Sequence, residues 1–213
     1  HYKIRVVALQ SLLFRYPESS IFKDKVTRDG IYQHLINVLK FSNKIGSGVV
    51  VFGSPRSKKR DDMTYGEAFV IAVDFFRKLA KVAESLNIVF CIEPTPIMYG
   101  ADFITNTSEA ITLINAVNHN AFKLNLDIGS SILNNEKIEI IIRKNIKEIG
   151  HIHISEPYLK IINQNKCFHD SISELLRKEK YKGFISIEMK SSSDIDTTKI
   201  AETLSFVKSI YNY

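Results

Sequence analysis

Six times along the chain, a short run rich in β-branched residues gives way to a longer amphipathic stretch. The short runs are Val6–Leu9, Val49–Phe52, Ile88–Ile92, Phe122–Leu126, Ile149–Ile154 and Phe184–Ile187. Helical patterns are expected at 29–43, 65–86, 107–118, 136–147, 169–179 and 195–211, with Asp29, Thr64, Thr107 and Thr197 as N-caps. Strands that alternate with helices predict βαβ units, because a parallel neighbour needs a crossover long enough to hold a helix. The expected fold is therefore α/β, of the (β/α)8 TIM-barrel type. Six units are visible where a closed barrel has eight. The first two βα units, roughly 50–70 residues at the usual repeat length, are expected to be missing from this sequence. No Pro/Gly/Ser linker, charge block or low-complexity segment divides it. Residues 1–213 are expected to form one N-terminally incomplete barrel domain.

Composition narrows the class further. With 45% hydrophobic and 24% charged residues, the chain reads as an ordinary globular protein rather than a disordered one. No apolar run reaches the roughly 18 residues of a membrane helix, so no membrane partner is expected. The two cysteines, Cys91 and Cys167, have no framework spacing and read as reduced thiols of a cytoplasmic protein. The net charge of +6 comes from scattered lysines. That fits an anionic small substrate or plain solubility about as well as a nucleic-acid partner, and no nucleic acid is expected. The exposed strand edges of an incomplete barrel give a reason to form homo-oligomers.

Strand parity then picks out four residues. In Lys123–Asp127, Leu124 and Leu126 face one way while Asn125 and Asp127 face the other. Cys91 shares a face with Glu93; His151, His153 and Ser155 share another; so do Ser186, Glu188 and Lys190. In a parallel barrel the face toward the helices must be apolar, so these polar side chains point inward, at the end where such barrels place their chemistry. Three carboxylates beside an imidazole repel one another unless a cation joins them. Glu93, Asp127, His153 and Glu188 are accordingly expected to hold one divalent metal. Three oxygens and one nitrogen favour Mn²⁺, Mg²⁺ or Co²⁺, with Zn²⁺ as a further option.

The motifs Ile92-Glu93-Pro94, Leu126-Asp127-Ile128-Gly129, His151-Ile152-His153-Ile154-Ser155-Glu156 and Ile185-Ser186-Ile187-Glu188-Met189 resemble the xylose isomerase-like barrel superfamily, over essentially the whole chain. The resemblance implies the last six of the family's eight units. It also implies a metal-dependent isomerase or epimerase of a small sugar or sugar phosphate, working through a cis-enediolate. The family's metal quartet falls on Glu93, Asp127, His153 and Glu188, and Glu93 and Glu188 would double as the acid/base pair. Related alternatives are a dehydratase, a hydroxypyruvate-type isomerase or a non-catalytic truncated barrel. Many relatives carry a His three residues after the Asp, where this chain has Ser130. That substitution and the few histidines count against the superfamily's DNA-repair endonuclease branch.

Further substrate contacts are expected from residues that follow strands. Gln10 ends the first run, and Ser54 and Arg56 open the basic loop Gly53–Arg60, where they would meet a phosphate or carboxylate. His169 is expected in the loop after the His153 strand, and Lys190 shares the face of Glu188. Glu156 is expected to orient a metal ligand from behind. Tyr99 lies in the Pro-flanked loop after Glu93, and His34 and His119 read as structural or exposed.

Overall fold

The computed structural model describes residues 3–14, 16, 20–162, 165–190 and 197–211. Their contacts divide the chain into two compact units, His1–Asn125 and Leu126–Tyr213. Strands β1 (Ala8–Leu9), β2 (Val49–Phe52), β3 (Val89–Ile92), β4 (Phe122–Asp127), β5 (Ile149–Ile154) and β6 (Ile185–Ile187) follow one another in the sheet in chain order. Helices α1 (Lys25–Lys44), α2 (Tyr65–Ser85) and α3 (Thr107–Val117) follow β1, β2 and β3. Helices α4 (Ile128–Leu133) and α5 (Ile138–Asn145) follow β4, α6 (Lys166–Lys178) follows β5, and α7 (Thr197–Tyr211) follows β6. The pairs β1–β2, β2–β3, β3–β4 and β5–β6 are parallel, as the alternation requires.

In the first unit the register sets Phe52 beside Ile92 and Phe90 beside Phe122. Phe52, Phe90 and Phe122 occupy the same parity, and all three rings meet Phe76 of α2, at centroid distances of 5.4, 6.1 and 5.1 Å. Helix α2 presents Ala68, Ala72, Phe75, Phe76, Leu79, Ala80 and Ala83 as one buried stripe at helical spacing. It starts where its capping box starts: the Thr64 side chain accepts from the Glu67 N–H, and the Glu67 carboxylate accepts from the Thr64 N–H. The other face of these strands buries Val49, Val51 and Cys91. A sheet covered on both faces explains why β2 is an unbroken apolar run.

The second unit is built from aliphatic side chains. Ile142 of α5, Ile152 and Ile154 of β5, and Ile172 and Leu176 of α6 are all fully buried. Strand β6 is only half-buried at each of its residues. Its register places Ser186 opposite His153.

Several local expectations shift. Helix α1 begins at Lys25, capped by Asp24, whose carboxylate accepts the Thr27 N–H at 2.7 Å. Asp29 therefore lies inside the helix, in an i,i+4 pair with Lys25. Asn106, rather than Thr107, caps α3, because its side chain accepts the Glu109 N–H at 3.0 Å. Residues 195–196, expected to open the last helix, lie outside the described residues. Among the described residues, no helix is long and apolar enough to cross a membrane.

Candidate metal centre

Glu93 follows the last residue of β3, and its N–H donates to the Phe52 carbonyl at 3.1 Å. Its carboxylate lies over Gly53, where an added Cβ would come within 3.0 Å of the carboxyl carbon. A larger residue at position 53 would push this carboxylate aside by a few tenths of an ångström. Asn125, of the parity expected to face inward, donates from Nδ2 to Glu93 Oε2 at 2.8 Å.

Behind Glu93 sits a residue that the sequence reading did not single out. Lys58 closes a 3-10 turn (Arg56–Lys58) and has no exposed surface. Its ammonium donates to the Glu93 carbonyl at 2.5 Å and to Thr95 Oγ1 at 2.6 Å. Burial pulls its pKa down to about 7, opposed by the nearby carboxylates of Glu93 and Glu109. Arg56, two residues earlier, is exposed, and Ser54 is half-buried. Gln10, just past β1, is exposed. Tyr99 lies in a 3-10 turn (Ile97–Tyr99) of the loop after β3 and is half-buried. His34, on α1, bonds through Nε2 to the Leu12 carbonyl at 2.9 Å, a structural role.

In the second unit, Asp127, His153 and Glu188 come together. The His153 Nδ1 lies 3.0 Å from Glu188 Oε2 and 3.8 Å from Asp127 Oδ2. Asp127 and His153 are almost fully buried. Asp127 also caps α4, accepting the Ser130 N–H at 2.6 Å on one oxygen and the Ser155 hydroxyl at 2.7 Å on the other. Burial pushes the Asp127 carboxyl above its ordinary range, against the pull of those two hydrogen bonds and of His153. Ser155 in turn accepts the Gly129 N–H at 2.9 Å. A Cβ at Gly129 would approach the Glu156 carbonyl to 2.7 Å, so this close strand-to-helix approach requires glycine. Thus Ser130 contributes its backbone N–H to the Asp127 cap.

Below His153 on the same strand face is His151, fully buried. Its Nε2 is 2.9 Å from Ser186 Oγ, and burial, with a lesser contribution from His153, lowers its pKa to about 4. It is a neutral structural imidazole. The remaining predicted residues of this unit are spread out. Glu156 begins the turn after β5 and accepts the Leu159 N–H at 2.8 Å through its backbone. Lys190 is exposed, and its N–H donates to the Leu159 carbonyl at 2.8 Å. His169 is not in a loop. Helix α6 starts at Lys166, capped by Asn165, which places His169 inside it. There it is buried, with Nδ1 2.9 Å from the Tyr211 hydroxyl of α7 and its ring edge-on to Phe206.

The donor chemistry fits a hard divalent cation: two carboxylates approach one buried imidazole nitrogen, with hydrogen bonds fixing the Asp127 oxygens. Residues 1–210 match the family model described as the xylose isomerase-like TIM barrel. The chain belongs to this family. The D-psicose 3-epimerase of Ruminiclostridium cellulolyticum is 28% identical over 118 residues, which is 55% of this chain and 40% of that enzyme. The match therefore spans less than half of that curated relative. Among solved structures, the 3-keto-D-glucoside 4-epimerase of E. coli superposes with a TM-score of 0.83 at 15% identity, covering 97% of this chain and 80% of its own. The IOLI protein with a binding zinc atom superposes with a TM-score of 0.73 at 15% identity, covering 99% and 79%. At such identities the superpositions speak for the fold: parallel βα units of the (β/α) TIM-barrel type, with sugar epimerases among its members.

Proposed function

We propose that this chain is a divalent-metal-dependent epimerase or isomerase of a small sugar or sugar phosphate, acting as one xylose isomerase-like barrel domain. The observation that carries the reading is the convergence of Asp127 and Glu188 on the buried Nδ1 of His153. Glu93 is proposed as the fourth ligand, and the grouping of these four residue types supports a metal-binding role. Mn²⁺, Mg²⁺ or Co²⁺ suits three carboxylates and one imidazole, with Zn²⁺ a further option. When bound, the ion would polarise the substrate carbonyl and its neighbouring hydroxyl.

The two glutamates would then move the proton. One carboxylate takes the proton from the carbon beside the carbonyl, and the other returns one from the opposite face or to the neighbouring carbon. Glu93 suits such a role because Gly53 and Asn125 define where its carboxylate lies. Arg56 and Lys190, both exposed cations, and the polar side chains Gln10 and Ser54 are proposed to meet substrate oxygens or a phosphate. Glu156 is proposed to orient the centre from behind. The epimerases named above act on ketoses and a keto-glucoside, which supports the same substrate class here.

The test is metal-dependent exchange of solvent deuterium into a panel of ketoses and their phosphates, run beside thermal melts. Saturating Mn²⁺, at about 100 times its Kd, should add roughly 2.7 kcal/mol of stability, which is about 5–10 °C for a chain of this size. Glu188→Gln should remove most of that shift and slow exchange by about a thousandfold, equivalent to roughly 4 kcal/mol of barrier. If Mn²⁺ leaves the melting temperature unchanged and Glu188→Gln behaves as the wild type, the metal reading fails.

A further inference from the structure

A lysine with no exposed surface is rare, because removing an ammonium from water is costly unless its hydrogen bonds compensate. The bonds of Lys58 are spent on one short segment. Its Nζ donates to the Glu93 carbonyl and to Thr95 Oγ1, and the Thr95 hydroxyl passes its own proton on to the Gly53 carbonyl at 2.8 Å. The Thr95 N–H is taken by the Ile104 carbonyl at 3.0 Å. Ile104 is fully buried and has a φ of 53°, a left-handed conformation that a β-branched residue adopts only under strain. Glu93 itself is held at its N–H by Phe52, at its carboxylate by Asn125, and from below by the missing side chain of Gly53.

Every element of this clamp lies in the first unit, and all of it converges on residues 93–95. A methionine could fill the same space without the desolvation cost, so packing alone does not account for a charged group here. We propose that Lys58 is a positioning residue. By fixing the Glu93 carbonyl and the Thr95 hydroxyl together, it sets the direction in which the Glu93 carboxylate points, and so the affinity of the centre for its metal. The assignment rests on the metal reading given above. Lys58 touches neither substrate nor metal in this role; it acts through Glu93.

The experiment compares Mn²⁺ affinity, by titration calorimetry, with the melting temperature of the metal-free protein. Lys58→Met and Thr95→Val should each weaken Mn²⁺ binding by about 10–100-fold, the usual cost of losing an outer-shell partner. The metal-free melting temperature of Lys58→Met should stay level or rise, which a purely structural lysine would not allow. Thr95→Ser keeps the hydroxyl and should restore affinity to near the wild-type value. If Lys58→Met does not fold, the Thr95→Val and Thr95→Ser pair decides the matter. Wild-type protein that binds Mn²⁺ alongside Thr95→Val, and any folded Lys58→Met, that bind it equally well overturns the role of Lys58 alone. Wild-type protein that does not bind Mn²⁺ overturns the metal reading and this assignment with it.

Discussion

The two units solve the same problem, buried polar groups beneath an apolar sheet, by opposite means. The first holds the backbone carbonyl of Glu93 with a buried lysine, Lys58, while an aromatic cluster centred on Phe76 packs the opposite face of its strands. The second sets two carboxylates on one imidazole, with Ser130 N and Ser155 Oγ donating to Asp127. Its core is aliphatic, and its last strand is half-exposed. Asp127 is the more deeply buried of the two carboxylates, and burial disfavours its charge, so a cation would relieve it most. The difference teaches where metal binding should have its largest effect on folding, namely at Asp127.

Core truncation tests the packing half of this contrast and should have the largest effect. Phe76→Ala removes a ring that touches Phe52, Phe90 and Phe122 at once, and should cost about 4 kcal/mol in urea denaturation. Leu176→Ala, equally buried among aliphatic residues, should cost about 3 kcal/mol. A Phe76 variant no less stable than the Leu176 variant would show that the aromatic cluster is not the stronger core.

That contrast was only partly visible in the sequence. Strands β2 and β5 span the residues that their apolar runs predict, and the rings of His151 and His153 lie 5.3 Å apart on one face of β5, as period-two alternation requires. The short helix α4 leaves no mark in the sequence, because six residues are too few to show a helical period and its cap, Asp127, also has the strand-end position of a ligand. In the run Gly53–Arg60, sequence cannot say which cation turns inward. Arg56 was expected to matter, yet Lys58 is the buried one, a choice made by the 3-10 turn and by the Thr95 and Glu93 acceptors that lie far off in the chain. His169 lies in a helix rather than a loop because Asn165, three residues beyond the last clear apolar residue, caps α6 and starts it at Lys166.

Charge removal in the metal-free protein tests the electrostatic half, and the two units should respond with opposite signs. Glu93→Gln leaves the Lys58 ammonium buried without its carboxylate, and should lower stability by about 2 kcal/mol in the presence of EDTA. Asp127→Asn keeps an acceptor for the Ser130 N–H, and the Ser155 hydroxyl can rotate to accept from the new amide. It also removes a carboxylate that burial disfavours, so it should raise metal-free stability by about 1 kcal/mol while abolishing the gain from Mn²⁺. Destabilisation by both substitutions would mean that the second unit compensates its charge as fully as the first.

The smallest expected effects lie at the helix ends, where the units differ again. Helix α2 opens on a complete capping box, while α5 opens on Lys137, whose side chain makes no capping hydrogen bond. Thr64→Ala should therefore cost about 1 kcal/mol, since it strands the Glu67 N–H and frees the carboxylate that reaches back to residue 64. The Glu67 carboxyl is held below its ordinary range by its bonds to Thr64, so the box contributes above that range and is lost as pH falls through the depressed folded value. The cost of Thr64→Ala should accordingly shrink as the pH falls below the ordinary carboxylate range. At α5 the change runs the other way. Lys137 already has the extended backbone of an N-cap, with φ −86° and ψ 90°, so Lys137→Asp adds an acceptor for the first turn and a negative charge at the positive end of the helix without rebuilding the loop. It should gain up to about 1 kcal/mol. A Lys137→Asp variant no more stable than the wild type at pH 7, yet still losing stability toward pH 4, would mean that the unfolded chain, and not the missing cap, sets the stability of this end of the second unit.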